Sequence, residues 1–423
     1  MEKIVIAGVE INKVSIKEFL FNKNMIISYI LLAIGVFGIY EVIKIRYFFA
    51  GAVTAHDAGL HPGSHQVMLA MKDAVFGGES EVHRSAPWSL YIVNYMYMIY
   101  TGSGVIFLVA LDEILNLQII KKTAAGFLTF GISMVIGGLF TIMVDLNSLH
   151  LLSMLTSPDF GAPMWQMLPL YSVYIPFVFF EIYLLLTHNK NWVKKISFGI
   201  LILSVLIDIV EYYIQASLFS MSEARHLWNT YPSLTVYFII SAYVAAVGIM
   251  GLYSFFTYRK SLGNEYANLM EIIRKTALVC IILLATYEAA SYLTIDKVWA
   301  SLIIAGPFKY IYFGGYILLA MIIPFFLMLK KDNATLAILA SVLMIVGAYI
   351  GRYVFVYAGN AYPLSDRFGT GFEKYGLYEK IVNFIYYPPE RAEILAVIGS
   401  FGVILAVYTV INKLFSVSKV REH

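Results

Sequence analysis

The chain has 423 residues, of which 60% are hydrophobic and only 13% charged, and its mean hydropathy is +0.75. A soluble domain carries about 25% charged residues, so this composition calls for lipid as solvent, and a net charge of +3 argues against a nucleic-acid partner. The single cysteine, Cys280, excludes a disulfide framework and any iron–sulfur cluster or cysteine-ligated zinc site held by this chain alone.

In chain order, residues 1–24 read as a cytoplasmic tail. Lys3, Glu10, Lys13, Lys17, Glu18 and Lys23 interrupt it, leaving no apolar core for a cleavable signal peptide. The alternation of Ile4 and Ile6, and later Val14 and Ile16, predicts a short hairpin there. Apolar windows of about 20 residues then predict about ten spans: Met25–Ile45, Pro87–Asp112, Ala124–Asp145, Trp165–Leu186, Ile196–Leu218, Leu234–Phe256, Thr276–Leu293, Tyr310–Leu329, Leu336–Tyr357 and Glu393–Leu414. The expected fold is an all-α polytopic membrane protein.

Orientation follows from basic residues beside span ends. Lys121 and Lys122, Lys190 to Lys195, Arg259 to Lys275, Lys330 and Lys331, and the tail residues Lys413, Lys419 and Arg421 all fall on one side if the spans number ten. The positive-inside rule makes that side, and both termini, cytoplasmic. The long external connections are expected over residues 47–86 and 358–392. Loops of this length are commonly functional, and they read either as a partner-docking surface or as a solvated lid.

Ionisable groups at membrane depth are functional candidates because burying them unpaired costs several kcal/mol. Asp112, Glu181, Asp208 and Glu211 form a possible ladder across the first spans towards Asp145. Asp208 and Glu211 are three apart and share a helix face. Such a ladder suits proton traffic, since carboxylates in apolar surroundings exchange protons near neutral pH; the plainer reading is polar contact between helices. Glu288 and Arg352 read as a structural ion pair. No histidine falls at mid-membrane depth, so no axial ligand for a b-type haem is expected.

Tyrosine and phenylalanine number 32 and 29; most read as interface belts and lipid-facing bulk, and some cluster towards the external side of spans two and five. There Tyr91, Asn94, Tyr95, Asp145, Tyr212 and Tyr213 share one membrane level. An apolar slot with a few polar groups suits a flat redox ligand; ordinary packing is the alternative.

Four segments resemble the polysulfide reductase membrane-subunit family, NrfD-like or PsrC-like, and particularly its ten-span branch, which includes HybB-type hydrogenase subunits and the large membrane subunits of alternative complex III. Span two reads APWSLYIVNYMYMIYTGSGVIFLVAL, with Trp88 and a Gly102-Ser103-Gly104 centre. Span three ends in VDLNSLHLLSML and is followed by SPDFGAPMWQM. Span nine ends in GRYVFVYAGNAYPL, and YYPPERAEILAVIGSFGVIL opens span ten.

The resemblance implies two four-helix bundles, over residues 87–218 and 234–357, with peripheral helices at 25–46 and 393–414 and a cytoplasmic tail at 415–423. It also implies no haem, metal or iron–sulfur cluster in this chain, and a quinone site at the external end of the first bundle. An iron–sulfur ferredoxin-like subunit would dock there, connected in turn to a molybdopterin, hydrogenase or cytochrome subunit. The family's acidic residue after span three falls on Asp145, the implied proton-handling residue; its span-two polar neighbour falls near Tyr95, and its span-five tyrosine near Tyr213. The family's basic residue after Asp145 is absent, and His150, Arg225, His226 and Trp228 are candidates to stand in for it.

The chain is thus expected in a prokaryotic plasma membrane, as the quinone-interacting subunit of a respiratory oxidoreductase, non-catalytic alone, with proton translocation as a further expectation. A secondary transporter using Asp208, Glu211, Glu288 and Arg352, or a purely structural anchor, are the alternatives. A transporter would show broken helices at matching depths in two halves.

Overall fold

The computed structural model describes residues 3–6, 8–57, 88–145, 156, 158–187, 191–221, 227–228, 233–294, 303–304, 306–331, 333–361 and 388–420. The expected hairpin forms: β1 (Lys3–Ile6) pairs antiparallel with β2 (Val9–Asn12), turning through Gly8 at a φ of 87°. Eleven helices follow among the described residues: α1 (Ile16–Leu20), α2 (Lys23–Asp57), α3 (Leu90–Ile114), α4 (Gln118–Asp145), α5 (Pro163–Leu186), α6 (Asn191–Ser220), α7 (Leu234–Thr257), α8 (Glu265–Thr294), α9 (Ile311–Leu329), α10 (Ala334–Ala361) and α11 (Arg391–Phe415). The protein is an all-α polytopic membrane protein. Nine of the helices, α2–α7 and α9–α11, are long and apolar enough to cross a bilayer. Helix α8 is 30 residues long but carries Glu265, Glu271, Arg274 and Lys275 in its first turns. Helix α2 runs to Asp57, well past the predicted end at Ile45, because no proline or glycine pair interrupts it.

Local chemistry sets the helix ends. Ser15 and Ser233 accept from the backbone N–H groups of Glu18 and Val236, and Glu390 and Glu393 form a capping box on α11. Between α3 and α4, Asn116 takes the left-handed conformation (φ 59°) that asparagine tolerates, so the chain reverses in three residues.

Helix α3 is apolar all round and central, with 94% of its apolar window buried against 22% for α2. Its neighbours close around it: α3 packs on α4, α4 on α5, α5 on α6, and α6 returns to α3. A second circuit runs from α7 through α8, α9 and α10 back to α7, and α2 and α11 pair with each other along α4. Helix contact in lipid depends on close packing rather than on water exclusion, and small residues permit it. Gly102 and Gly131 face each other across α3 and α4, where a Cβ on either would lie 2.6 and 2.9 Å from the other's carbonyl oxygen. Gly35 and Gly399 do the same for α2 and α11.

Residues 311–322 of α9 are wound as a π-helix, leading into Pro324, whose ring cannot continue the α-helical bonding. The two ends of the chain meet at one face: Asn12 Nδ2 donates to Lys413 O and Ser416 Oγ, both at 2.8 Å.

Candidate functional site

The site grows from one face of α5. Met164, Met167, Leu168, Tyr171, Ser172 and Ile175 recur at helical spacing and wall a cavity of about 370 Å³. Opposite them stand Trp88, Ile92 and Tyr95 at the start of α3, Leu139, Ile142 and Met143 near the end of α4, and Leu218 and Phe219 at the end of α6. The volume lies in the range of small-molecule pockets, and so does the chemistry: a largely apolar, aromatic wall with a few hydroxyls. Helix α5 stays helical through Pro169 and Pro176. Trp88 stacks on Trp228 with ring centroids 4.9 Å apart, and the Trp228 indole donates to Phe355 O at 3.0 Å, which ties the cavity's rim to α10.

The polar content of the cavity is concentrated at Tyr171. Its hydroxyl donates to Glu211 Oε1 at 2.8 Å and accepts from Gln215 Nε2 at 2.6 Å. Glu211 and Gln215 are four apart on α6, so one helix face presents both. Both are fully buried. Tyr95 donates to Met167 Sδ at 3.3 Å. A ligand oxygen reaching the Tyr171 hydroxyl is therefore one hydrogen bond from a buried carboxyl group.

Further acids lie behind it. Asp208 is fully buried, with no hydrogen-bond partner on either carboxyl oxygen, and adjoins Tyr174. Glu181, on α5, is likewise buried with both oxygens unpartnered. It shares a void of about 30 Å³ with Glu113, Ile200 and Leu201, large enough for a water molecule. From Glu211 to Leu201 along α6 is about 15 Å, half the hydrocarbon thickness of a bilayer.

Of the residues singled out from sequence, Tyr95 lines the cavity and Glu211 lies one bond behind it. Tyr91 packs with Val144 and Ala396, away from the cavity. Asn94 donates to Thr141 Oγ1 and Ser400 Oγ, at 2.9 and 3.0 Å, holding α4 and α11 to α3. Tyr212 is buried and donates to Tyr100 O at 3.1 Å, while Tyr213 is 62% exposed on the outer surface of α6. Asp112 lies beside Val247, Met250 and Thr276 of α7 and α8, whereas its neighbour Glu113 shares the void with Glu181. Asp145 ends α4 two residues beyond Met143, but its side chain lies outside the described residues, as do His150, Arg225, His226 and nearly all of both long connections. Sequence reasoning missed Tyr171, Ser172, Met167 and Gln215. The signal was available in the spacing of 164, 167, 168, 171, 172 and 175, and in Gln215 four residues after Glu211.

Glu288 and Arg352 do not form the expected ion pair. Glu288 accepts from the hydroxyls of Tyr312 and Tyr316, both at 2.8 Å. Arg352 instead donates to Ser241 Oγ at 2.7 Å and to Phe238 O at 3.4 Å.

No curated protein matches the chain. The family model for polysulphide reductase, NrfD, matches residues 78–363, which takes in the whole cavity and both circuits of helices. Members of that family are multi-pass membrane subunits of quinone-linked reductase complexes, generally paired with an iron–sulfur subunit. On that match, the chain belongs to the polysulphide reductase NrfD family.

Proposed function

We infer that this chain is the quinone-reacting membrane subunit of a respiratory oxidoreductase, with its quinone ring held in the cavity between α3, α4, α5 and α6. The observation that carries the reading is the Tyr171 hydroxyl at the cavity wall, bonded to buried Glu211 and Gln215. The wall fits the group: Trp88, Tyr95 and Phe219 supply flat apolar surface, and the hydroxyls of Tyr171 and Ser172, whose own hydrogens go to Glu211 and Leu168 O, can accept from the hydroxyl groups of a quinol.

A bound quinone supplies the two-electron, two-proton chemistry, exchanging electrons with an iron–sulfur, ferredoxin-like partner. The residues of this chain handle position and protons. Tyr171 orients a ligand oxygen, and Glu211 exchanges a proton with it through the phenol. Asp145, two residues after Met143 of the cavity wall, is the second proton-handling candidate. Asp208, Glu181 and Glu113 extend a route from Glu211 towards the opposite membrane face. The positive-inside rule makes the cavity end external and the Lys121–Lys122 end cytoplasmic, so the partner docks externally and carries electrons to or from a molybdopterin, hydrogenase or cytochrome subunit.

The native assembly, isolated in mild detergent, is expected to retain quinone and an iron–sulfur protein. Leu168→Trp, which fills the cavity, is expected to abolish quinone retention while the iron–sulfur partner stays bound. Full retention of quinone in that variant would remove the cavity from the reading.

A further inference from the structure

The segment between the hairpin and the first long helix is short and closely tied. Ser15 Oγ accepts from the Glu18 N–H and so opens α1, which is five residues long. Asn22 joins α1 to α2: its Oδ1 accepts from the Met25 N–H at 3.1 Å, and its Nδ2 donates to Phe19 O at 2.9 Å. The apolar window of α2 opens at Lys23. The chain from Leu20 to Lys23 reaches about 11 Å at full extension, and a headgroup layer is about 5–8 Å deep. The other side of α1 is fixed as well. Lys413 Nζ, near the end of α11, lies 3.7 Å from Glu18 Oε1, and Asn12 bonds to Lys413 O and Ser416 Oγ. Helix α1 is therefore held beside the ends of two membrane helices, at the level of the headgroups.

Its side chains suit that level. Ile16 and Leu20 are four apart and share one face of α1. They are 78% and 37% exposed, and Phe21, just beyond, is 68% exposed. Exposed apolar surface continues along α2 through Ile26, Ile27 and Ile30. Large apolar side chains at the headgroup level lower their free energy by entering the acyl boundary. Basic residues accompany them: Lys17 follows Ile16, and Lys23 opens α2. The neighbouring acids are committed elsewhere, Glu18 to Lys413 and Glu10 to Lys3. Among the described residues, neither Lys17 nor Lys23 has an acidic partner. A lysine stem lies along apolar surface while its ammonium stays in the polar layer. Two such cations beside three exposed apolar side chains complement a negatively charged lipid surface.

We propose that residues 16–23 form an interfacial lipid site, in which Ile16, Leu20 and Phe21 enter the acyl boundary and Lys17 and Lys23 bind the phosphate of an anionic phospholipid. The leaflet is the one that the basic connections face, cytoplasmic by the positive-inside rule. The lipid thereby holds α1, and through Asn12 the hairpin, against the end of α11. The site is independent of the cavity and its ligand.

The single native cysteine, Cys280, is buried, so Phe21→Cys or Ile16→Cys places one nitroxide spin label selectively on the full chain. In nanodiscs of phosphatidylcholine and phosphatidylglycerol, oxygen partitions into the lipid and a nickel chelate stays in the water. The label's relaxation is expected to respond several-fold more to oxygen than to the chelate. Lys17→Gln combined with Lys23→Gln should lower that ratio several-fold, and so should phosphatidylcholine alone. A label open to the chelate at both positions overturns the site, and either position suffices if the other variant fails to fold. A shielded label indifferent to the lysines and to lipid charge overturns the assignment to an anionic lipid. A label that is aqueous in nanodiscs and shielded only in the native assembly would give this face to another subunit, and would overturn the inference as well.

Discussion

The two circuits of helices treat their buried acids differently. In α3–α6, Glu181 and Asp208 have carboxyl oxygens with no protein partner, and Glu211 is reached from a cavity through one phenol. In α7–α10, Glu288 has a phenol on each oxygen, and Arg352 is enclosed by rings. A buried polar group left unsatisfied costs about 1–3 kcal/mol, more if charged. The first circuit therefore carries that penalty on its carboxyl groups, whereas the second satisfies its carboxylate and leaves Arg352 Nη1 unpartnered. Such penalties persist where the group has work to do beyond stability, which is why the proton route is read in the first circuit.

Several substitutions would break or sharpen that contrast. The largest effect is expected from Glu211→Gln, which keeps the size of the side chain and removes the exchangeable proton. Quinol-linked turnover of the intact complex should fall about 100-fold, the lower range of general acid–base contributions, while a dye that accepts electrons directly from the partner should react at its normal rate. Unchanged quinol-linked turnover would show that the cavity's proton passes elsewhere, with Asp145 the first alternative. Tyr171→Phe breaks the same relay at its other member, leaving Glu211 and Gln215 without their common partner, and should lower kcat about tenfold with less effect on KM. An effect confined to KM would reduce Tyr171 to a wall.

A smaller change is expected in the second circuit. A Cβ on Gly347 would lie 2.4 Å from Ala320 N, so Gly347→Ala must push α9 from α10. Overpacking of this kind costs about 1–3 kcal/mol; a lower melting temperature with quinone retention intact would separate the two circuits by function. The smallest effect concerns Glu271, outside the apolar core, which the Arg274 guanidinium holds down to about 2. Its folded value is below its ordinary one, so the stabilisation is complete above the ordinary carboxylate range and disappears as pH falls towards 2. Glu271→Gln should lower the melting temperature slightly at pH 7 and not at all near pH 2; an equal loss at both would mean that packing, not charge, is responsible.

The spans were legible because twenty apolar residues have few other uses, and the N-terminal hairpin because its isoleucines alternate. The ladder was partly legible: Asp208 and Glu211 are three apart on α6, which fixes their common face. What could not be read was rotation. Adjacent residues of a helix point about 100° apart, and α3 has no polar stripe to orient it. Tyr91, Asn94 and Tyr95 therefore looked equivalent, yet they serve α11, α4 and the cavity in turn. Tyr212 and Tyr213 divide the same way, one fully buried and the other 62% exposed. The separate environments of Glu288 and Arg352 were equally hidden, because they depend on Tyr312 and Tyr316, carried on a π-helical turn that no pattern announces.

The tie between Asn12 and the segment after α11 has a consequence of parity. A chain that begins and finishes on the same face of a sheet of lipid must have pierced it an even number of times. Nine apolar helices alone would leave the ends stranded on opposite faces, where Asn12 could never touch Lys413 or Ser416. Among the described residues, helix α8, charged as its opening turns are, is the remaining helix long enough to make that number even.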